Sequence, residues 1–338
     1  MIVVAVAVGI CQAGAAGGVH EAIVTQEFIF ERAPFAACHA STLVEVRPGE
    51  ILAAWFGGSA EGHKDVAIWL ARRDANGWSP PLEVARQQGI PCWNPVLWKD
   101  GKTGELLLFY KAGPSPDTWS GLLSRSRDDG RTWSKPEMLP AGVLGPVKNK
   151  PLQLDDGSLL CGSSAESWNA WGCWCEVTPD LGKTWSKGSP INLSGDRYGV
   201  IQPTIFRSGT NELRMLMRAR SQVGRICTAT SKDGGKTWTD ASPTELPNPN
   251  SGIDAVGLAD GRAALVYNHT VSGRSPLNLA VSPDGGKTWD PALRLEDEPK
   301  AEFSYPAVIL TRDGRIATTY TWKRKRIRFV LVDPARLP

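Results

Sequence analysis

The chain has no large excess of charge of one sign. Its 38 Lys and Arg against 35 Asp and Glu leave a formal net charge of +3 over 338 residues. That balance excludes the basic field of a nucleic-acid-binding or membrane-surface protein. It has no apolar run long enough to cross a bilayer. The first segment, MIVVAVAVGICQAGAAGG (1–18), is apolar and then small. It has the core and cleavage region of a secretory signal but lacks the positive start. A buried first strand or a wrongly chosen start codon are the other readings. A removed leader predicts a secreted or periplasmic protein; a retained one predicts a cytoplasmic protein. Histidine is scarce, at 4, and the seven cysteines (11, 38, 92, 161, 173, 175 and 227) match no zinc spacing. No metal is expected, and the cysteines read as mostly buried thiols with a disulfide left open. GGSAEG and DGGKTW lack the spacing and the strand-to-helix setting of a phosphate loop, so no nucleotide or other cofactor is expected. The apolar residues show no long helical period.

Glycine, at 35, and tryptophan, at 14, are abundant. Much of this excess belongs to a repeat: SRDDGRTW (126–133), TPDLGKTW (178–185), SKDGGKTW (231–238) and SPDGGKTW (282–289). The copies start 52, 53 and 51 residues apart, and a worn copy, RRDANGWSP with Asp74 and Trp78, lies upstream. A period near fifty means stacked copies of one supersecondary unit. Between the boxes lie six hairpin units, each two apolar strands joined by a turn that usually carries glycine. Six such units, each followed by two more short strands, predict an all-β six-bladed propeller. The last unit has no box after it. The unassigned β-rich segment EAIVTQEFIFE is expected to close the ring beside Arg326 to Val332, removing an open edge. Residues 19–338 then form one domain.

The boxes read as scaffold: Asp and Gly make a tight turn, Ser or Thr bonds backbone, and Trp fills an apolar gap. Chemistry is expected where equivalent positions differ. His39, Asn94, Lys150, Gln202, Asp254 and Tyr305 each stand before the first apolar strand of a unit, which places them at one mouth of the channel. Any one of them fits a wet axis; six unlike polar groups together fit a ligand site. The ends of the second strands give a second ring: Phe56, Lys111, Ser164, Arg218, Asn268 and Thr321. Arg220 and Arg274 follow nearby, Glu61 and Asp65 lie in the loop GGSAEGHKDVAIW, and Glu166 and Trp168 occupy the like place in the third unit. Arginine forks with a few carboxylates suit an anionic sugar.

On these boxes and rings the chain resembles the Asp-box (BNR-repeat) sialidase superfamily of six-bladed propellers, from about Phe35 to the end. The resemblance implies three arginines on a substrate carboxylate. Arg218 and Arg274 match two of them, but His39-Ala40-Ser41 stands where the first would lie in an Arg-Ile-Pro motif. It implies Asp65 as acid/base and Tyr305 as nucleophile. It also implies a Glu that activates the tyrosine, where this chain has Gln202. Glu302 or Glu166 would then have to serve as the base, and Lys150, Arg324 or Arg326 as the missing cation. KRKRIR reads equally as a charged edge strand. The reaction implied is retaining hydrolysis, in which a phenol, approaching neutral, attacks a carbon whose own carboxylate would repel a carboxylate nucleophile.

Three functions fit, in order: an exo-glycoside hydrolase on sialic acid or a similar acidic sugar; a lyase on uronate glycans, with His39 and Tyr305 moving protons; and a non-catalytic carbohydrate-binding propeller. The expected partner in all three is an acidic glycan, and the expected state is a monomer.

Overall fold

The computed structural model describes residues 20–195 and 199–337. The apolar first segment (1–18), read above as a possible secretory signal, and Cys11 within it lie outside the described residues. Six antiparallel sheets follow one another along the chain. Blade 1 has Ala37–Arg47 innermost, then Glu50–Gly58 and Ala67–Asp74, with Gly77–Trp78 and Leu82–Ala85 both pairing on its third strand. Blades 2 to 5 start with Cys92–Lys99, Leu152–Gln153, Val200–Arg207 and Asp254–Gly257. Blade 6 starts with Phe303–Leu310, and the innermost strands of blades 6 and 1 meet.

The ring closes as the sequence predicts. Ile23–Phe28 pairs antiparallel with Arg326–Val332, with Gln26 opposite Val330 and Phe28 opposite Arg328. The basic run KRKRIR (323–328) spans the turn before this strand and its first three residues, Arg326–Arg328. Arg326 and Arg328 stack on the Phe28 ring at 3.6 and 3.9 Å, while Glu31 and Glu296 hold their charges.

Second strands are buried on both faces because a blade flanks them on each side. In Glu50–Gly58 every residue after the first is buried. Burying one such leucine contributes about 2 kcal/mol. The boxes join blades. Each box glycine has φ between +82° and +92°, and an added Cβ would strike the preceding blade: Leu52 at 2.5 Å from Gly130, Leu123 at 2.7 Å from Gly182, Leu160 at 2.6 Å from Gly235 and Phe206 at 2.8 Å from Gly286. Only glycine permits both the left-handed backbone and the approach. The disulfide left open in the sequence does not form at Cys38, Cys92, Cys161, Cys173 or Cys175, which are buried thiols. Burial pushes Cys38 up to about 12 and Cys92 to about 11, which keeps both protonated and inert.

Candidate active site

Strand register defines which residues are equivalent around the axis. The second strands carry Phe56, Lys111, Ser164, Arg218, Asn268 and Thr321 at matching positions, five residues beyond Ile51, Leu106, Leu159, Leu213, Ala263 and Ile316. Those six face Glu45, Lys99, Gln153, Arg207, Gly257 and Leu310 on the inner strands. Five residues back along the chain from each of these inner-strand positions stand Ala40, Asn94, Lys148, Gln202, Gly252 and Tyr305. Four of these share a left-handed backbone: Ala40 (φ 55°), Asn94 (39°), Gln202 (53°) and Tyr305 (51°). At each of the four the ladder shifts register. Such residues cost about 1–3 kcal/mol each and persist only where their surroundings fix them.

The ring expected from sequence is therefore corrected at three places. His39 lies one residue before its ring position, and Lys150 and Asp254 lie two residues after theirs. The two displaced charges bind each other. Lys150 Nζ reaches both Asp254 oxygens at 3.0 Å and donates to the Ala255 carbonyl at 2.9 Å. Asp254 also accepts from Thr204 Oγ at 2.7 Å and Val308 N at 2.8 Å. They form a clasp across blades 3 to 6, with Lys150 committed to it. Lys111 is also committed: fully buried, it donates to the Pro146 carbonyl at 2.9 Å. Burial pulls its pKa down to about 7 against the opposing charge of Glu176. Asn94 is buried in the ring beside Trp93.

Tyr305 gathers the rest. Its phenolic oxygen accepts from Arg218 Nη1 at 2.6 Å and Gln202 Nε2 at 3.3 Å. Arg218 also donates to Gln202 Oε1 at 3.1 Å and Asn250 Oδ1 at 2.7 Å. Around the Tyr305 ring lie the Arg274 and Arg218 guanidinium carbons at 5.5 and 5.6 Å and Lys148 Nζ at 5.9 Å. His39 packs on the ring at 4.1 Å between centroids, with Nδ1 2.9 Å from Thr321 Oγ. Burial first, then the charges of Arg324, Arg274, Arg218 and Lys148, push the His39 pKa well below the usual imidazole value. The imidazole at this mouth is neutral.

Glu302 links Tyr305's strand to Arg274 and to one further cation, Arg324. It holds Arg274 Nη1 at 2.7 Å and Arg324 Nε at 2.6 Å, and accepts from Ser304 Oγ at 2.9 Å. Burial opposes ionisation of Glu302, but Arg274 and Arg324 outweigh it and lower its pKa. Arg324 also reaches Glu61 at 2.5 Å. Of the cations named for the missing arginine, Arg324 is thus the one at the mouth; Arg326 packs on Phe28 and Trp322 and pairs with Glu31. A cavity of about 290 Å³ opens between Glu61, Glu302 and Arg324, floored by Cys38, His39, Phe56 and Val66.

The other two expected carboxylates, Glu166 and Asp65, differ in their surroundings. Glu166 ends the second strand of blade 3, opposite Trp171, on whose ring Arg220 and Arg218 stack at 4.7 and 5.6 Å. Burial raises its pKa against the pull of those two arginines. Asp65 sits on the exposed loop. It accepts from Ser59 Oγ at 2.5 Å and Ser59 N at 2.9 Å, and the hydroxyl bond foremost holds its pKa below the usual carboxylate value. No hydrogen bond joins it to Tyr305 or Arg218 among the described residues. Sequence reading passed over Lys148, Asn250 and Gly252. The first had a usable signal, since Asn94, Lys148 and Gln202 are spaced by 54 residues each.

Fold and site together define an Asp-box propeller whose mouth holds a tyrosine among cations. A family profile described as BNR repeat-like domain matches residues 49–318, and the chain belongs to that family. The sialidase of Bacteroides fragilis (strain YCH46) is 24% identical over 267 residues, covering 72% of this chain and 47% of that protein. This chain spans about half the length of that curated relative. Among solved structures, the Hadza microbial sialidase Hz136 superposes with a TM-score of 0.74 at 20% identity, over 89% of this chain and 66% of that one. A protein of unknown function from Dyadobacter fermentans DSM 18053 gives 0.76 at 16% identity, over 92% and 98%. Likeness at these identities establishes the fold.

Proposed function

We propose that the chain is an exo-acting glycoside hydrolase for a terminal acidic sugar, sialic acid or a similar one, with Tyr305 as nucleophile and Asp65 as acid/base. The observation that carries this reading is the 2.6 Å bond from Arg218 to the Tyr305 phenol, in a mouth that also holds Arg274 and Arg324. The guanidinium forks suit the sugar carboxylate. Arg218 also stabilises negative charge on the phenolic oxygen as its proton leaves. Gln202 cannot take that proton: its amide nitrogen faces the phenol and its oxygen is bound by Arg218. In this reading the proton passes to Glu302, the carboxylate kept ionised by two arginines beside Tyr305's own strand. Asp65 starts charged, so acid catalysis requires that the bound, desolvating sugar raise it.

A second reading, elimination on a uronate chain, rests on His39. A neutral imidazole packed on a tyrosine could take the proton beside a carboxylate that arginines neutralise. One experiment separates the two. Wild type and Tyr305→Phe are assayed with a fluorogenic sialoside and with uronate polysaccharides followed by the ultraviolet absorbance of a new double bond. Sialoside turnover in wild type that falls roughly 10³-fold or more in Tyr305→Phe supports the hydrolase. Double-bond formation without sialoside turnover overturns it in favour of the lyase.

A further inference from the structure

We propose that Lys148 is a positioning residue for Tyr305, holding the tyrosine's left-handed backbone in place from the opposite side of the axis. The proposal rests on the reading of Tyr305 as nucleophile.

Lys148 occupies in blade 3 the position that Tyr305 occupies in blade 6. Its side chain is buried and crosses the channel. Nζ donates to the Ile253 carbonyl at 2.8 Å, to Asn149 Oδ1 at 2.9 Å and to the Pro306 carbonyl. Ile253 follows ring position Gly252, and Pro306 follows Tyr305. Asn149 in turn donates to the carbonyl of ring residue Gln202 at 3.0 Å. One ammonium and its neighbouring amide therefore tie together the ring positions of blades 3, 4, 5 and 6. Three oxygens around one nitrogen match the three donors of an ammonium.

Two further observations connect this tie to Tyr305 rather than to the scaffold at large. The carbonyl it grips belongs to Pro306, the residue directly after Tyr305, whose φ of 51° is a conformation that needs outside support. Packing around the grip is also full. A Cβ added at Gly252 would lie 3.3 Å from both the Tyr305 ring and Lys148 Cε. Burial pulls the Lys148 pKa down to about 7, with Asp254 opposing and Lys150 and Arg218 adding to the fall. A buried cation beside other cations is a poor choice for stability alone. It fits a place where a neighbouring phenol must be held and its developing negative charge favoured.

The test is Lys148→Met, compared with wild type and with the box variant Asp233→Ala, which controls for general loss of stability. Arg218, Arg274 and Arg324 remain, so sugar binding is retained. The expected result is a kcat about 10²-fold lower with KM within a few-fold, the signature of a misplaced reacting group, while Asp233→Ala keeps kcat. A folded Lys148→Met with kcat within twofold of wild type overturns the proposal. If Lys148→Met does not fold, Gly252→Ala presses on the same contact without removing charge. A kcat about tenfold lower supports the proposal, and an unchanged kcat overturns it. If wild type turns over no sugar, the functional reading fails and crystal structures of Lys148→Met and Gly252→Ala decide this one. Loss of the Tyr305–Arg218 bond in a variant supports it, and that bond retained in every variant that folds overturns it.

Discussion

The rim and the axis of this propeller obey opposite rules. Four boxes on the rim repeat one set of bonds. In each, the glycine N–H donates to the Ser or Thr hydroxyl, at 2.8, 2.6, 2.9 and 2.6 Å. In each, the Thr hydroxyl donates to the Asp carboxylate, at 2.6, 2.7, 2.6 and 2.8 Å. At the axis the six equivalent positions hold Ala, Asn, Lys, Gln, Gly and Tyr, and four of them are strained. A box does a job that each blade needs separately, so the same residues serve every time. The axis does one job, to which each blade contributes a different group. Repetition marks scaffold here, and unlike residues at one register mark the site.

The comparison breaks most visibly at a box glycine. Gly235→Ala places a Cβ 2.6 Å from Leu160 at φ +87°. The expected cost is about 3 kcal/mol from strain and overpacking together, read as a shift in a urea midpoint, with turnover per folded molecule unchanged. Lost turnover in protein that is still folded would show that the rim is not scaffold alone.

Asp233→Ala is gentler. Asp233 accepts from Thr237 Oγ at 2.6 Å and from the Lys236 and Thr237 amides at 3.0 Å. Thr237 above all holds its pKa to about 2, burial opposing. Losing an exposed but multiply bonded carboxylate is expected to cost about 1–2 kcal/mol at neutral pH. A Tm unchanged within a degree would mean that the turn holds without its Asp.

The same contrast explains what the sequence disclosed. A box is eight contiguous residues, and its period counts blades without any tertiary information. Closure was legible because one β-rich segment was left over and one edge was open. The axis was harder. Its positions were sought as the polar residue before each apolar run, a rule that finds Asn94, Gln202 and Tyr305 but in blade 1 takes His39, because the ring residue there, Ala40, is itself apolar. In blades 3 and 5 the inner strands begin only at Leu152 and Asp254, so the polar residue next to the run is not the one at the ring. Within Lys148-Asn149-Lys150 no local rule chooses between two lysines, one gripping the Tyr305 backbone and the other clasping Asp254. Arg324 and Glu61 are 263 residues apart, and only the closed ring brings them together.

The axis is tested by pH, through an effect that vanishes above neutrality. Folding buries His39 as a neutral group among cations, so its folded pKa lies well below the value of about 6.5 that it has in the unfolded chain. Above that value neither state binds the proton, and His39 contributes no pH dependence. As the pH falls through about 6.5, the unfolded chain takes up a proton that the folded state refuses. Stability then falls by up to about 1.4 kcal/mol per pH unit from this one group. Asn at position 39 can keep a bond to Thr321 and does not titrate. The stability difference between wild type and His39→Asn, from urea unfolding between pH 5 and 8, is therefore expected to be flat above pH 7.5 and to move in favour of the variant below pH 6. Carboxylates titrate in both proteins and cancel. A difference that stays flat to pH 5 would mean that His39 accepts its proton inside the fold, and the neutral imidazole needed by the elimination reading would be lost with it.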